Sequence, residues 1–182
     1  METAWVERFE RRAMSPEEFD GLPEQIRAEY VDGVALMSPP SAGGHQDVAL
    51  NVAMALRRDL PRSTVRCEAG FALPSGTLRI PDVSVQRVRD DEHWSHEVPI
   101  VVVEILSAST RGEDLFRKVV DYRRSGVAQY WIVDRAVRTL TVLVNAGEEW
   151  DIAFTLSDDA PTASIDVADL GTVDLDLSDL LA

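Results

Sequence analysis

The spacing of apolar and polar positions changes several times along the chain, and each change marks an element. Ser15-Pro16-Glu17-Glu18 has the form of a capping box with proline in the first helical turn, which predicts a short helix over residues 16–22. Glu29-Tyr30-Val31 and Val34-Ala35-Leu36-Met37 flank Asp32-Gly33, a two-residue turn signal, so residues 27–37 predict a hairpin, closed by Pro39 and Pro40. From Gly44 the period becomes helical. Val48, Val52, Leu56 and Leu60, with Ala49, Ala53 and Met54 beside them, form a stripe that Pro61 ends. Strands are predicted at 65–73 and 77–88, joined by Pro74-Ser75-Gly76, with Pro81 interrupting the second; the charged and aromatic stretch 90–97 reads as a loop.

Residues 100–106 form a continuous β-branched run, the mark of a strand buried on both faces, and Glu104 is its only charge. A helix over 111–124 follows, ended by Ser125-Gly126, and then a strand pair, 129–133 and 138–144, turning at Asp134-Arg135-Ala136. One more strand is predicted at 150–156. Residues 173–177 alternate valine and leucine with Asp174 and Asp176, as an edge strand does. The order predicts a mixed α/β fold with the sheet at its centre.

Composition narrows this picture. A chain of 182 residues with 45% hydrophobic and 27% charged residues suits one globular domain over 1–182 that buries its own core. The single cysteine, Cys67, excludes an internal disulfide and, lying in a predicted strand, is expected to be a buried, inert thiol. No apolar stretch approaches the ~18 residues of a membrane span, and residues 1–12 carry acids and arginines where a signal peptide has its apolar segment, so a cytoplasmic protein is expected. The net charge of −14 is uneven: residues 148–182 hold ten acids and no base, leaving 22 acids against 18 bases before them, a net of −4. Such a chain lacks the basic footprint of a histone-like or repressor-like DNA binder. A metal-using enzyme stays open, because a bound cation adds local positive charge that the sequence does not count.

Candidate chemistry centres on Asp82, Glu104 and Lys118. Seventeen of the eighteen basic residues are arginine; Lys118 is the only lysine. A carboxylate inside Val103-Glu104-Ile105 costs several kcal/mol to bury unless it is paired or binds a metal. Asp82 follows Pro81 within a second strand, which the proline makes an edge or an irregular one. Two carboxylates on neighbouring strands repel each other, and Mg²⁺ or Mn²⁺ resolves this; the backbone carbonyl of Ile105 could complete the shell. At 100° per residue, Leu115, Phe116, Val119 and Val120 form a continuous apolar sector with Lys118 just outside its edge, so the lysine stem can run along the sheet towards Glu104. The plainer alternative is a surface ion pair of Lys118 with Asp114 or Asp121, worth at most about 1 kcal/mol.

Pro81-Asp82, the run from Val103-Glu104-Ile105-Leu106 through Ser107-Ala108-Ser109-Thr110, Asp114-Leu115 with Lys118 and Tyr122, and the run from Gly126 to Asp134 together resemble the Uma-two family of PD-(D/E)XK nuclease-like proteins. Glu29-Tyr30-Val31-Asp32-Gly33, Met37-Ser38-Pro39 and His45 fit the same pattern, so the likeness spans residues 15–181. The resemblance implies a restriction-endonuclease-like core: a central mixed β-sheet flanked by helices, an N-terminal hairpin and C-terminal edge strands. It also implies a Mg²⁺-dependent endodeoxyribonuclease with Asp82 and Glu104 as metal ligands and Lys118 as the active-site lysine. Two departures stand out. The superfamily's lysine normally follows the acid by two positions, where this chain has Leu106, and Ala108 replaces the proline usual between the two serines.

Around this centre, Glu29 is expected either to hold a second ion or a water, or to be a solvated strand charge. His45 is expected either to contact phosphate or assist proton transfer, or to cap a helix. Tyr122 and Tyr130 read as core and rim residues rather than catalysts. Arg57, Arg58, Arg62 and Arg66 either steer a polyanion or are simply solvated. The leading expectation is DNA phosphodiester hydrolysis by a homodimer, since one site per chain must cut two strands and an Asp-guarded apolar edge offers an interface. The alternatives are a catalytically silent nuclease-fold adaptor, or an RNA or nucleotide phosphohydrolase on the same site.

Overall fold

The computed structural model describes residues 6–60, 65–88, 92–108 and 110–182. Arg62, Pro61 and Ser109, and the start of the 90–97 loop, lie outside the described residues. In order, the elements are β1 (Glu10–Ala13), α1 (Pro16–Asp20), β2 (Arg27–Val31), β3 (Val34–Ser38), α2 (Gly43–Asp59), β4 (Val65–Cys67), β5 (Gly70–Ala72), β6 (Leu78–Arg79), β7 (Val83–Val85), β8 (Trp94–Ser95) and β9 (Val101–Ile105). A π-helical turn, Glu113–Arg117, then leads into α3 (Lys118–Arg124), followed by β10 (Gln129–Asp134), β11 (Thr139–Asn145), β12 (Trp150–Leu156), β13 (Thr162–Val167), β14 (Gly171–Asp176) and α4 (Leu177–Leu180).

Local chemistry explains several of these. Ser15 and Glu18 close the capping box at α1 in both directions, with Pro16 in the first turn. Asp32 and Gly33 both take positive φ, 50° and 77°, as the two-residue turn between β2 and β3 requires. The α2 stripe buries Val48, Val52, Ala53 and Leu56 as expected, whereas Met54 faces outward. Leu56 is wholly buried, so Leu56→Ala would cost about 2–5 kcal/mol.

The strands form two six-stranded sheets. The first has the order β1-β3-β2-β6-β5-β8 and the second β12-β11-β10-β9-β7-β4, which is mixed: β9 and β10 run parallel and the other neighbours antiparallel. The two long strands expected at 65–73 and 77–88 are therefore each broken. Their first and last portions, β4 and β7, pair in the second sheet, while β5 and β6 pair in the first. The ribbon changes sheet where Glu68 takes φ 49° and where Pro81 breaks the ladder, and the Glu68 N–H donates to the Asp82 carbonyl at 3.1 Å across this corner. Cys67 ends β4 at the corner and is exposed, not buried, because no strand continues over it.

One face of the second sheet packs on α2, α4 and the β13–β14 hairpin through Val101, Val103, Ile105, Trp131 and Val133. The opposite face, carrying Val102, Tyr130 and Ile132, packs on Tyr122 of α3 and on Phe71 and Leu73 from the first sheet's side. Residues 173–176 belong to β14, which pairs with β13 in a separate two-stranded sheet, both of them edge strands, that buries Val167, Val173 and Leu175 towards α2; Leu177 begins α4. Among the described residues, no helix is long and apolar enough to cross a membrane.

Candidate active site

Four structural features meet where the two sheets approach. Val83 pairs with Val103, so Asp82, one residue before β7, stands beside Glu104 on β9. Side chains alternate along β9: Val101, Val103 and Ile105 enter the α2 side of the core, which turns Glu104 with Val102 towards α3 and the first sheet. From the first sheet come Glu29 on β2 and Arg79 on β6; from the helical side come Asp114, Lys118 and Tyr122; from the start of α2 comes His45.

Of the predicted apolar sector, Leu115 and Val119 pack against the core beside Tyr122, while Phe116 is 74% exposed and Val120 also faces solvent; Lys118 is 4% exposed. The wider π turn shifts the helical phase, so that Asp114, Lys118 and Tyr122 all point inward, and the face they form is polar because it meets Glu104 rather than apolar surface. Lys118 Nζ donates to Glu104 Oε1 at 2.8 Å and also lies 3.2 Å from Asp114 Oδ1 and 3.3 Å from Glu29 Oε1. Asp114, one of the two partners in the plainer reading, is thus engaged, but in a buried pair; Asp121 pairs with Arg79 instead. Tyr122 Oη donates to the same Glu104 oxygen at 2.8 Å, so this core tyrosine is also a member of the site. Tyr130 Oη donates to the Asp114 carbonyl at 2.9 Å and anchors the π turn.

Asp82 is held on both oxygens. The Ile105 N–H donates to Oδ2 at 2.7 Å, and His45 Nε2 lies 3.1 Å from Oδ1. Glu29 is not a solvated strand charge: it is 6% exposed, accepting from Arg79 Nη1 at 2.9 Å and from the Ile80 N–H at 2.9 Å. Arg79 itself is fully buried and also pairs with Asp121. Of the other arginines, Arg57 donates to the Val65 carbonyl at 3.1 Å and Arg58 pairs with Asp59, so both serve the α2 end locally.

The electrostatics separate the carboxylates. Burial pushes Glu104 well above the usual carboxylate range; Lys118 opposes this, but Asp114, Asp82 and Glu29 add to it. Asp82 moves down: burial works against ionisation, yet His45, Lys118 and the Ile105 N–H outweigh it. Burial also opposes ionisation of Glu29, but Lys118, Arg79 and the Ile80 N–H bring it down to about 2. Lys118 is raised: burial favours loss of its proton, and the three carboxylates around it overcome this. A pair of titratable groups with values pushed apart, beside a buried lysine, is the pattern of acid–base and electrostatic catalysis.

As a metal site, Asp82 and Glu104 offer hard oxygen donors on adjacent strands. This donor chemistry fits Mg²⁺ or Mn²⁺, which take one or two carboxylates and complete their shells with water and phosphate oxygens. Among the described residues, no group of three or more His, Cys, Asp or Glu side chains is arranged to hold a metal ion, so any ion would rest on the two carboxylates and on backbone or non-protein oxygens. Sequence reasoning missed Arg79 and Arg27. Arg79 stands among Leu78, Ile80 and Pro81, and the argument applied to Glu104, a lone charge in an apolar strand, would have found it. Arg27 Nη2, 3.6 Å from Asp82, left no comparable sequence sign.

A search of curated proteins gives no match. A crystal structure from Anabaena variabilis, described as "a putative nuclease belonging to DUF820", superposes with a TM-score of 0.69 at 20% identity, covering 91% of this chain and 96% of that one, which establishes the restriction-endonuclease-like fold. The model of the Uma2 family, described as "Putative restriction endonuclease", matches residues 16–174, and the chain belongs to that family.

Proposed function

We propose that this protein hydrolyses DNA phosphodiester bonds, with Asp82 and Glu104 holding Mg²⁺ or Mn²⁺ and the Ile105 carbonyl available as a further oxygen. The observation that carries this reading is the 2.8 Å contact of the only lysine with Glu104 in a buried setting, at the strand position beside Asp82 where the superfamily's acid stands. When bound, the ion supplies Lewis-acid polarisation of the scissile phosphate. Lys118 brings an ammonium with three donors: it orients Glu104 and places a positive charge where the phosphoryl oxygens gain charge in the transition state. Glu29, fixed by Arg79 and the Ile80 N–H, holds Lys118 from the opposite side. His45 Nε2, 3.1 Å from Asp82 Oδ1, orients that carboxylate as a donor and is placed to hydrogen-bond a phosphate oxygen or to give up its proton there. A homodimer would present two such sites to the two strands of a duplex.

A second reading has its own support. Lys118 has three carboxylate partners, so the site is already saturated as an ion network, as a nuclease-fold binding module without catalysis would have it. One assay separates the two. Supercoiled and linear DNA are incubated with the purified protein in Mg²⁺, Mn²⁺ or EDTA. The hydrolytic reading expects nicking or cleavage in either metal and none in EDTA. Equal cutting in EDTA removes the metal role, and no cutting in either metal favours the binding module.

A further inference from the structure

Two cavities share a wall at Trp94. The larger, about 550 Å³, is lined by Phe19, Leu22, Ile26 and Arg27; the smaller, about 190 Å³, by Arg66, Gly70 and Gln86; Glu68, Ile80, His93 and Trp94 line both. The larger falls in the range of small-ligand sites. Both abut the candidate active site. Arg27 Nη2 reaches to 3.6 Å of Asp82, and the Glu68 N–H is bonded to the Asp82 carbonyl.

The two arginines differ in what holds them. Arg27 donates through Nη2 to the Ile80 carbonyl at 2.9 Å and lies 3.6 Å from Asp82 and 3.8 Å from Glu68, whereas Arg66 Nε and Nη2 are buried without a hydrogen-bond partner. Such donors cost free energy unless a ligand takes them. The aromatic between them is built in. A Cβ on Gly70 would come within 2.7 Å of the Trp94 ring, so glycine is what lets the indole lie there, with the His93 ring at 5.4 Å and the Phe19 ring at 6.2 Å. Asp20, Glu24 and Glu68 line the larger cavity and disfavour phosphate there, and Arg27 is already engaged by Glu68 and Asp82. What fits is a neutral planar group against the indole and an anionic group at the Arg66 guanidinium.

We propose that Trp94 is a nucleobase platform. An unpaired base of the substrate strand stacks on Trp94, and a phosphate flanking it is held by Arg66, so that the strand enters the site single-stranded or locally opened. Aromatic stacking beside an arginine-held phosphate is how sequence-tolerant single-strand binding is built. This inference rests on the nucleolytic reading for its substrate class, but its test reads binding alone.

Single-stranded oligonucleotides carrying 2-aminopurine at each position in turn are titrated with the unmodified protein in Ca²⁺. Quenching confined to one or two adjacent positions is expected. Trp94→Ala should weaken binding of the single strand about tenfold, the order of one stacked base, and should lose that effect when the quenched position is made abasic. Trp94→Phe, which keeps an aromatic face, should recover most of the affinity. Quenching that does not depend on position, or a Trp94→Ala loss of the same size on the abasic strand, overturns the proposal. So does displacement of the strand by an arginine-rich peptide with no dependence on the base, which would mark a protein-docking pocket. Cleavage without position-dependent quenching removes the platform and leaves the nuclease reading standing; quenching without cleavage in Mg²⁺ or Mn²⁺ does the reverse.

Discussion

In metal-free protein, replacing the lysine and replacing the glutamate it binds should have opposite consequences. Lys118 Nζ stands 2.8, 3.2 and 3.3 Å from Glu104, Asp114 and Glu29, and all three carboxylates are nearly inaccessible. Lys118→Met removes the one cation common to them, and stranding buried carboxylates costs about 3–5 kcal/mol. For a chain of this length each kcal/mol moves Tm by about 2–4 °C, so a drop of about 6–20 °C is expected. Glu104→Gln instead removes one of three negative charges around one ammonium. Its amide oxygen still accepts from Lys118 and from Tyr122, so the variant should lie within about 1 kcal/mol of the parent or above it. Urea unfolding in EDTA measures both. Adding Mn²⁺ at about a hundredfold excess over its Kd should then stabilise the parent by about 2.7 kcal/mol and Glu104→Gln by little. If Glu104→Gln unfolds as easily as Lys118→Met, Glu104 is a structural ion-pair partner and the metal assignment falls.

Lys118→Ala should lose on the order of 10²-fold or more in cleavage rate, Lys118→Arg should not restore it, and Lys118→Ala with Leu106→Lys should recover part of it from the strand; steady-state nicking assays read all three, and parent-rate cleavage by Lys118→Ala would reduce the lysine to scaffolding. DNA affinity, measured by fluorescence anisotropy, should be weak, salt-sensitive and stronger in Ca²⁺ than in EDTA, because the net charge of −14 opposes binding until cations enter the site; equal affinity in both contradicts this. Light scattering at high micromolar concentration should give the mass of a dimer, and a mass near 20.2 kDa with and without DNA rules the homodimer out.

The residues that sequence revealed were those that violate their surroundings. Glu104 was visible because an ionised group in a two-sided buried strand needs a partner, and Lys118 because it is the chain's one ammonium. The helix pattern of α2 and the Asp-Gly turn were equally direct. What stayed hidden was whatever depends on the chain's path through space. Nothing in the composition of 113–117 signals a π turn, so the helical wheel kept Phe116 and Val120 in the buried sector with Leu115 and Val119, and left Lys118 just outside it. The corner at Glu68 carries no glycine or proline, so residues 65–73 looked like one strand and Cys67 looked buried. Ala163, Ile165 and Val167 do alternate, but alanine, serine and threonine made β13 too faint to pair with β14 in advance.

Asp82 occupies the corner at which a two-stranded ribbon leaves one sheet for the other, and this gives the site two jaws. Glu104, Lys118 and the Ile105 amide belong to the second sheet and its helix; Glu29, Arg79 and Trp94 belong to the first. Each jaw is stiffened by its own ladder of backbone bonds, and the seam between them is crossed mainly by side chains and by the ribbon itself. Repacking that seam would alter the gap presented to a nucleic acid strand while both ladders stay intact. Substitutions that touch no carboxylate, such as at Leu73 in the seam, should therefore change which substrates are admitted before they change how fast an admitted one is cut.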